Sequence, residues 1–434
     1  MSKCGFVGYL GQVMVATLER TPADATHWSR ASMAAGSGLS RSTVGRIWSP
    51  CAPRRTTSAT GSRRGTRIPS LLSGPRTRTR SSTASPHILI DWRRTLGVVR
   101  GGGAIRYLEL GHAGATVLII VDSGGVLSEN VTFANAGVVL AGSLTLPDRG
   151  APVPGVVMVG GSGPSDRDND THFPAIRRHL VDAGIAVLSY DKRGVGGSSG
   201  DWLDATMDDL ASDAAAALDF LRARPEVRSE AAGLFGHSEG GWVVLRTTTL
   251  RDDVPWVVTN GGPGTTPAAQ DRYELATTLR RTKGITDDEV DAALAAYDRV
   301  VEAGRRDADF AEAARLAQSP PTAFTEHAAE VDERFWRFLK RRQDHDPVPD
   351  ALRLRCPHLA IFGADDEVVP VADSIHLFTA AACHRHRDSR ATLTVEVFPG
   401  ADHRVRTDGG TRLAPGYLDA LTRWIIGRTG DQGA

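Results

Sequence analysis

Cysteine is scarce: the 434 residues hold four, Cys4, Cys51, Cys356 and Cys383, with no paired spacing. That excludes a disulfide scaffold and fits a reducing compartment. Long apolar runs are missing as well, with none near the ~18 residues that cross a bilayer. The one leader-like stretch, Gly5 to Leu18 behind Lys3, is broken by Gln12 and runs into Glu19-Arg20 without a cleavage site. A cytoplasmic, membrane-free protein is expected. Net charge is absent too, since Lys+Arg and Asp+Glu both total 51. The balance conceals an asymmetry, because residues 1–100 carry 16 basic against 3 acidic side chains. No acidic residue at all occurs between Asp24 and Asp91.

What is present excludes a wholly disordered or collagen-like chain: 41% hydrophobic and 24% charged residues suffice for a large core. The core is not spread evenly. Of the 36 residues from 51 to 86, 29 are Arg, Ser, Thr, Pro or Gly, too polar to offset their chain entropy by burial. Residues 51–125 are therefore expected to form a basic, disordered linker after a small unit at 1–50.

From about Ser128 the pattern changes to strands alternating with helices. Val131 and Phe133 alternate before a turn at Asn135–Gly137, and Val139 to Leu146 returns as a second strand. Short β-branched runs follow at Val156–Val159, Ile185–Leu188, Ala232–Phe235, Trp256–Thr259, Leu359–Phe362 and Leu393–Phe398. Amphipathic helices separate them; one carries Phe173, Ile176, Leu180 and Ala183 on one face, another Met207, Leu210, Ala214, Leu218 and Leu221 behind the capping pair Thr206 and Asp209. Strand runs that are apolar without alternation imply a mostly parallel sheet covered by helices on both faces. The alternation stops after Gly261-Gly262. Residues 264–345 show helical patterns only and would sit over the carboxyl ends of the strands as a lid. The core is thus expected at 126–263 and 346–434.

The sharpest motif is Gly236-His237-Ser238-Glu239-Gly240-Gly241, between the strand at Ala232–Phe235 and a helical stretch at Trp242–Leu250. A strand that turns at once into a helix leaves room only for small residues beside the apex, and holds the apical hydroxyl exposed. With 46 glycines the five-residue pattern alone is weak, since chance gives ~0.3 matches. A second match, Gly196 to Gly200 around Ser198, follows a strand that has already ended at Tyr190 and is read as a turn. Context selects Ser238 as nucleophile. A serine needs a base, and the base an orienting anion. His403 follows the strand ending at Phe398, and Asp365 and Asp366 follow the strand Leu359–Phe362, so Ser, Asp and His succeed one another past three different strands. For the oxyanion, the N–H groups of Glu239 and of Ser162, in the loop Gly160-Gly161-Ser162-Gly163-Pro164, are the candidate donors.

Three runs, Gly161-Ser162-Gly163-Pro164-Ser165-Asp166-Arg167-Asp168, then Tyr190-Asp191-Lys192-Arg193-Gly194-Val195-Gly196, then Gly236 to Gly241, resemble the α/β-hydrolase esterases related to the serine-aminopeptidase and dienelactone-hydrolase groups. The resemblance covers about residues 128–428. It implies the α/β-hydrolase fold and a triad of Ser238, Asp366 and His403, with Asp366 preferred over Asp365 by its spacing from Gly363 and Pro370. It also implies that Asp166, Arg167 and Arg193 brace loops. Gly160 departs from the pattern, since many relatives carry histidine there. A serine hydrolase of small-molecule carboxylic esters is expected, without cofactor or metal; Cys383-His384-Arg385-His386 matches no metal motif. Thioesterase or aminopeptidase-like activity is the runner-up.

Residues 11–49 resemble the DNA-binding helix-turn-helix of mariner-like insertion-sequence transposases: Gly38 at the turn, Leu39, Val44 and Ile47 behind it, and Arg41, Ser42, Thr43 and Arg46 outward. Nothing after them resembles those enzymes' catalytic domain. This implies a transposase remnant joined to an intact hydrolase, with DNA binding of no functional weight. The opposite reading is a DNA-binding protein with an inert hydrolase fold.

Overall fold

The computed structural model describes residues 106–112, 115–121 and 127–430. The segment at 11–49 and its helix-turn-helix expectation lie outside them.

Ten strands form one sheet in the order β1-β2-β3-β4-β6-β5-β7-β8-β9-β10. The first four, β1 (Arg106–His112), β2 (Ala115–Val121), β3 (Leu127–Asn135) and β4 (Val138–Leu146), are an antiparallel meander. The β3–β4 turn is the expected one, with Ala136 and Gly137 both at positive φ, 45° and 84°, as a two-residue hairpin loop requires. β4 pairs antiparallel with β6 (Ala186–Tyr190). Parallel pairing then links β6, β5 (Val153–Val159), β7 (Val227–His237), β8 (Val257–Asn260), β9 (His358–Gly363) and β10 (Leu393–Phe398). Each of the six expected apolar runs is a strand of this parallel part.

The sheet begins earlier than expected. β1 and β2 lie inside the stretch read as linker, because their seven residues each were outweighed by the Arg/Ser/Thr-rich composition upstream. A short hairpin carries little compositional signal beside 36 biased residues.

The central strands β5, β6, β8 and β9 are buried on both faces, as unbroken apolar strands demand. Along β5, Val157 and Val159 join one core with Leu210, Leu218 and Leu221 of α2 (Met207–Arg222) and Val243 to Leu245 of α3 (Glu239–Leu250). Val156 and Met158 join the other core with Phe173, Ile176 and Leu180 of α1 (Phe173–Asp182). Thr206 and Asp209 close a capping box at the start of α2, satisfying two otherwise orphaned N–H groups.

Between β8 and β9 the chain is helical throughout: α4 (Pro267–Arg281), α5 (Asp287–Arg305), α6 (Phe310–Gln318), α7 (Ala323–Ala328), α8 (Glu333–Arg342) and α9 (Pro347–Arg353). α10 (Val371–Ala382) and α11 (Tyr417–Ile426) complete the fold. Among the described residues no helix is long and apolar enough to cross a membrane.

Candidate active site

β7 ends at His237 and α3 starts at Glu239, so Ser238 alone makes the turn. Its backbone stands at φ 55°, ψ −123°, where a residue with a Cβ is strained. Neighbouring groups fix it: Ser238 N–H donates to Asn260 O at 3.0 Å, and Ser238 O accepts from Gly241 N at 2.7 Å. The turn is too tight for side chains on either flank. A Cβ on Gly236 would lie 2.0 Å from the carbonyl oxygen of Gly240, and one on Gly240 would lie 2.4 Å from that of Val159.

His403 follows β10, and its Nδ1 lies 2.8 Å from Asp366 Oδ2. The other oxygen of Asp366 accepts the N–H groups of Val368 and Val369, each at 2.8 Å. Asp366 is buried while Asp365 is exposed, so the carboxylate that meets the histidine is the one preferred by spacing. Because an ionised carboxylate only accepts, Nδ1 carries the proton and Nε2 offers a lone pair. The ring is wedged between Gly261 and the ring of His237, whose centroid is 5.0 Å away; a Cβ on Gly261 would lie 3.2 Å from His403 Nδ1. It therefore stands beside the residue that precedes Ser238. Nε2 is buried and makes no hydrogen bond, so the bond to the serine hydroxyl is not formed in this structure. Such bonds often tighten only when substrate arrives.

Burial works against a charged imidazole at 403, but the Asp366 carboxylate outweighs it and raises the His403 pKa above the ordinary 6.5. Burial, reinforced by neighbouring positive groups, drives His172 and His237 far below that value; their rings meet edge-on behind it with centroids 4.4 Å apart. In this row of three imidazoles only His403 is poised to take up a proton.

The loop after β5 comes within 3.3 Å of the Ser238 Cβ at the position a Gly161 Cβ would take. Gly161 N–H is committed to Asn169 Oδ1 at 3.1 Å, which leaves Ser162 as the next amide along. Gly160 is explained as well. A Cβ there would lie 2.1 Å from Ser165 Oγ, which itself donates to Asn169 Oδ1, so serine and asparagine brace this loop where a larger residue 160 would not fit.

Side-chain partners of the elbow were not foreseen. Glu239 is buried, and its carboxylate receives Lys192 Nζ at 2.7 Å and Arg342 Nη1 of α8 at 2.5 Å. α4 reaches the acid loop, with Tyr273 Oη donating to Asp366 O at 3.1 Å and Gln270 Nε2 to Val368 O at 3.2 Å. Lys192 stood in a quoted motif; Arg342, Tyr273 and Gln270 had no sequence signal, since helical periodicity does not say which polar residue turns inward.

Other expectations sort cleanly. Arg167 grips Asp191 at 2.7 and 3.1 Å, Arg193 grips Asp213 at 2.7 and 2.8 Å, and Asp166 Oδ1 accepts the N–H groups of Asp168 and Asp170. All three brace loops. Ser198 is a buried turn residue whose hydroxyl accepts from Ala141 N and donates to Asp191 O. Within the insertion, an apolar cavity of about 130 Å³ is lined by Tyr297, Phe310, Phe324, Trp336 and Arg342 among others. Phe335, also in the insertion, packs on Trp202 and Phe338. Among the described residues, no group of three or more His, Cys, Asp or Glu could hold a metal ion.

A mostly parallel sheet with a strand–serine–helix turn and a histidine paired to a buried carboxylate past later strands defines the class, a serine-type α/β-hydrolase. The model of the X-Pro dipeptidyl-peptidase (S15) family matches residues 136–395, and the chain belongs to that family. Esterase EstD of Thermotoga maritima is 24% identical over 304 residues, 66% of this chain and 65% of its own length. An uncharacterised protein of Pseudomonas aeruginosa is 28% identical over 162 residues, 37% of this chain and 43% of its own. The chain thus spans under two thirds of either relative. Among solved structures, the Pyrococcus furiosus esterase Pf2001 superposes with TM-score 0.46 at 17% identity, covering 69% of this chain and 91% of that one. The comparisons do not bear out the transposase resemblance of residues 11–49.

Proposed function

We propose that the protein hydrolyses carboxylic esters of small molecules through an acyl-enzyme on Ser238. His403 Nε2 takes the hydroxyl proton as Oγ attacks the carbonyl carbon, and Asp366 steadies the imidazolium that results. The tetrahedral oxyanion is held by the N–H groups of Ser162 and Glu239, the second of which is a free donor at a helix N-terminus. His403 then returns the proton to the leaving alcohol. Water, deprotonated by the same histidine, attacks the acyl group and releases the acid and Ser238. No step calls for a cofactor.

The observation that carries this reading is the His403–Asp366 pair, 2.8 Å apart and packed beside the strained serine turn. The relative named esterase EstD favours an ester substrate. The family description, X-Pro dipeptidyl-peptidase, favours a second reading, release of N-terminal residues from peptides. The insertion serves as a lid whose cavity receives the apolar part of the substrate.

A fluorophosphonate probe tests the chemistry. Labelling that disappears in Ser238→Ala supports it, and wild type that resists labelling sinks it in favour of an inert fold. p-Nitrophenyl esters of rising chain length, assayed beside p-nitrophenyl thioesters and aminoacyl-anilides, separate the three substrate classes.

A further inference from the structure

Lys192 stands where the two halves of the oxyanion site meet. Its ammonium is buried, with a side chain 8% exposed, and donates in two directions: to Gly161 O at 2.6 Å and to Glu239 Oε1 at 2.7 Å. Gly161 C=O and Ser162 N–H are opposite ends of one planar peptide unit, so fixing the oxygen fixes the direction of the N–H. A cation on the carbonyl also polarises that peptide and makes its N–H a stronger donor. The second acceptor of the same lysine is the side chain of Glu239, whose backbone supplies the other candidate donor. The Ser162 side chain reaches this carboxylate too.

The Glu239 carboxylate holds its charge. Burial penalises an ionised Glu239, but Lys192 and Arg342 outweigh it and keep the carboxyl below the usual range. Asp271 lies within electrostatic reach of Arg342 and Glu239, while Lys192 alone stands on the Gly161 carbonyl. Asn169 on the Gly161 N–H and Lys192 on the Gly161 carbonyl together leave that loop one orientation.

We propose that Lys192 is a positioning residue of the oxyanion site, aiming the Ser162 N–H and locking it to the Glu239 turn, with Arg342 of the insertion holding the far side of the Glu239 carboxylate. The proposal rests on acyl transfer at Ser238. The competing account is that the cluster only secures the fold, and the two differ in what they do to the transition state.

Steady-state turnover of p-nitrophenyl acetate by Lys192→Met decides, together with the affinity of a trifluoromethyl ketone that forms a tetrahedral adduct. Loss of one whole oxyanion donor costs on the order of 10²–10³ in kcat, so a misaimed one should cost ~10–100-fold. Expected is that loss in kcat with KM changed less than threefold, a matching loss of ketone affinity, and an acid limb of the pH profile at its wild-type position. Lys192→Gln, which keeps a donor for the Gly161 carbonyl, should recover part of the rate. Should Lys192→Met not fold because Glu239 is left buried and unpaired, Lys192→Met/Glu239→Gln removes that charge and must show the same kcat loss. Wild-type kcat, or a kcat loss with ketone affinity unchanged, overturns the proposal. A Ser238→Ala variant as active as wild type would instead overturn the acyl-enzyme reading itself, so the two failures are distinguishable.

Discussion

His403 Nδ1 meets Asp366 Oδ2 at 2.8 Å, while two peptide N–H groups hold the other oxygen of the same carboxylate. The acid is therefore anchored by backbone and the base by the acid, a chain of constraint that ends at His403 Nε2, which makes no hydrogen bond.

The pH dependence follows from that pair. The His403 pKa lies above 6.5, and the base must be neutral to act, so kcat/KM for an ester should rise with pH through an apparent pKa above 6.5. Asp366→Asn should lower that limb and cut kcat by ~10³–10⁴, because the imidazole loses both its orientation and its counter-charge. Stability has the opposite slope. A group whose folded pKa is raised stabilises fully below the unfolded value and loses that contribution as pH rises through the folded one. Asp366→Asn should thus shift the urea midpoint more at pH 6 than at pH 9; an equal shift at both would deny the charge interaction.

Glycine 240 is required by space rather than by chemistry. Its substitution by alanine would press a methyl group to 2.4 Å from a β5 carbonyl oxygen, and the obstacle is backbone that cannot swing aside. Gly240→Ala should yield little soluble protein, or protein with a Tm lowered by more than ~5 °C, the size expected from about 3 kcal/mol or more at ~2 °C per kcal/mol in a domain this large. A soluble variant with wild-type Tm and labelling would show that the turn has slack.

Ser198 offers the contrast to Ser238. Both sit in the same five-residue pattern, yet the Ser198 hydroxyl is spent on two backbone groups. Ser198→Ala should keep fluorophosphonate labelling at the wild-type rate and lose ~1–3 kcal/mol in urea denaturation, since it leaves a buried N–H and carbonyl unpaired. Loss of labelling with unchanged stability would reverse the assignment of the two serines.

Much of this molecule was legible in the sequence because its physics is local. Unbroken apolar runs such as Val156–Val159 mark strands covered on both sides, and a serine between glycines after such a run marks the turn. Strand ends marked Ser238, His403 and the Asp365-Asp366 pair as candidates, and only the family resemblance preferred Asp366, the carboxylate that the fold sets against His403. The hairpin β1–β2 escaped because seven-residue strands leave a faint trace beside biased composition. The ionic core of Lys192, Glu239 and Arg342 escaped for a different reason. Its members are 47 and 103 residues apart, and a charged residue in a sequence is presumed to face water until folding shows otherwise.

The helical insertion grips the catalytic centre at two places, through Tyr273 on the acid loop and through Arg342 on the serine turn. If the insertion admits substrate as proposed, the segment that chooses which molecules enter is mechanically part of the apparatus that transforms them. Lineages that reshape this segment to accept a new guest would alter reaction speed in the same stroke, and drift in preference should be accompanied by compensating change near both grips.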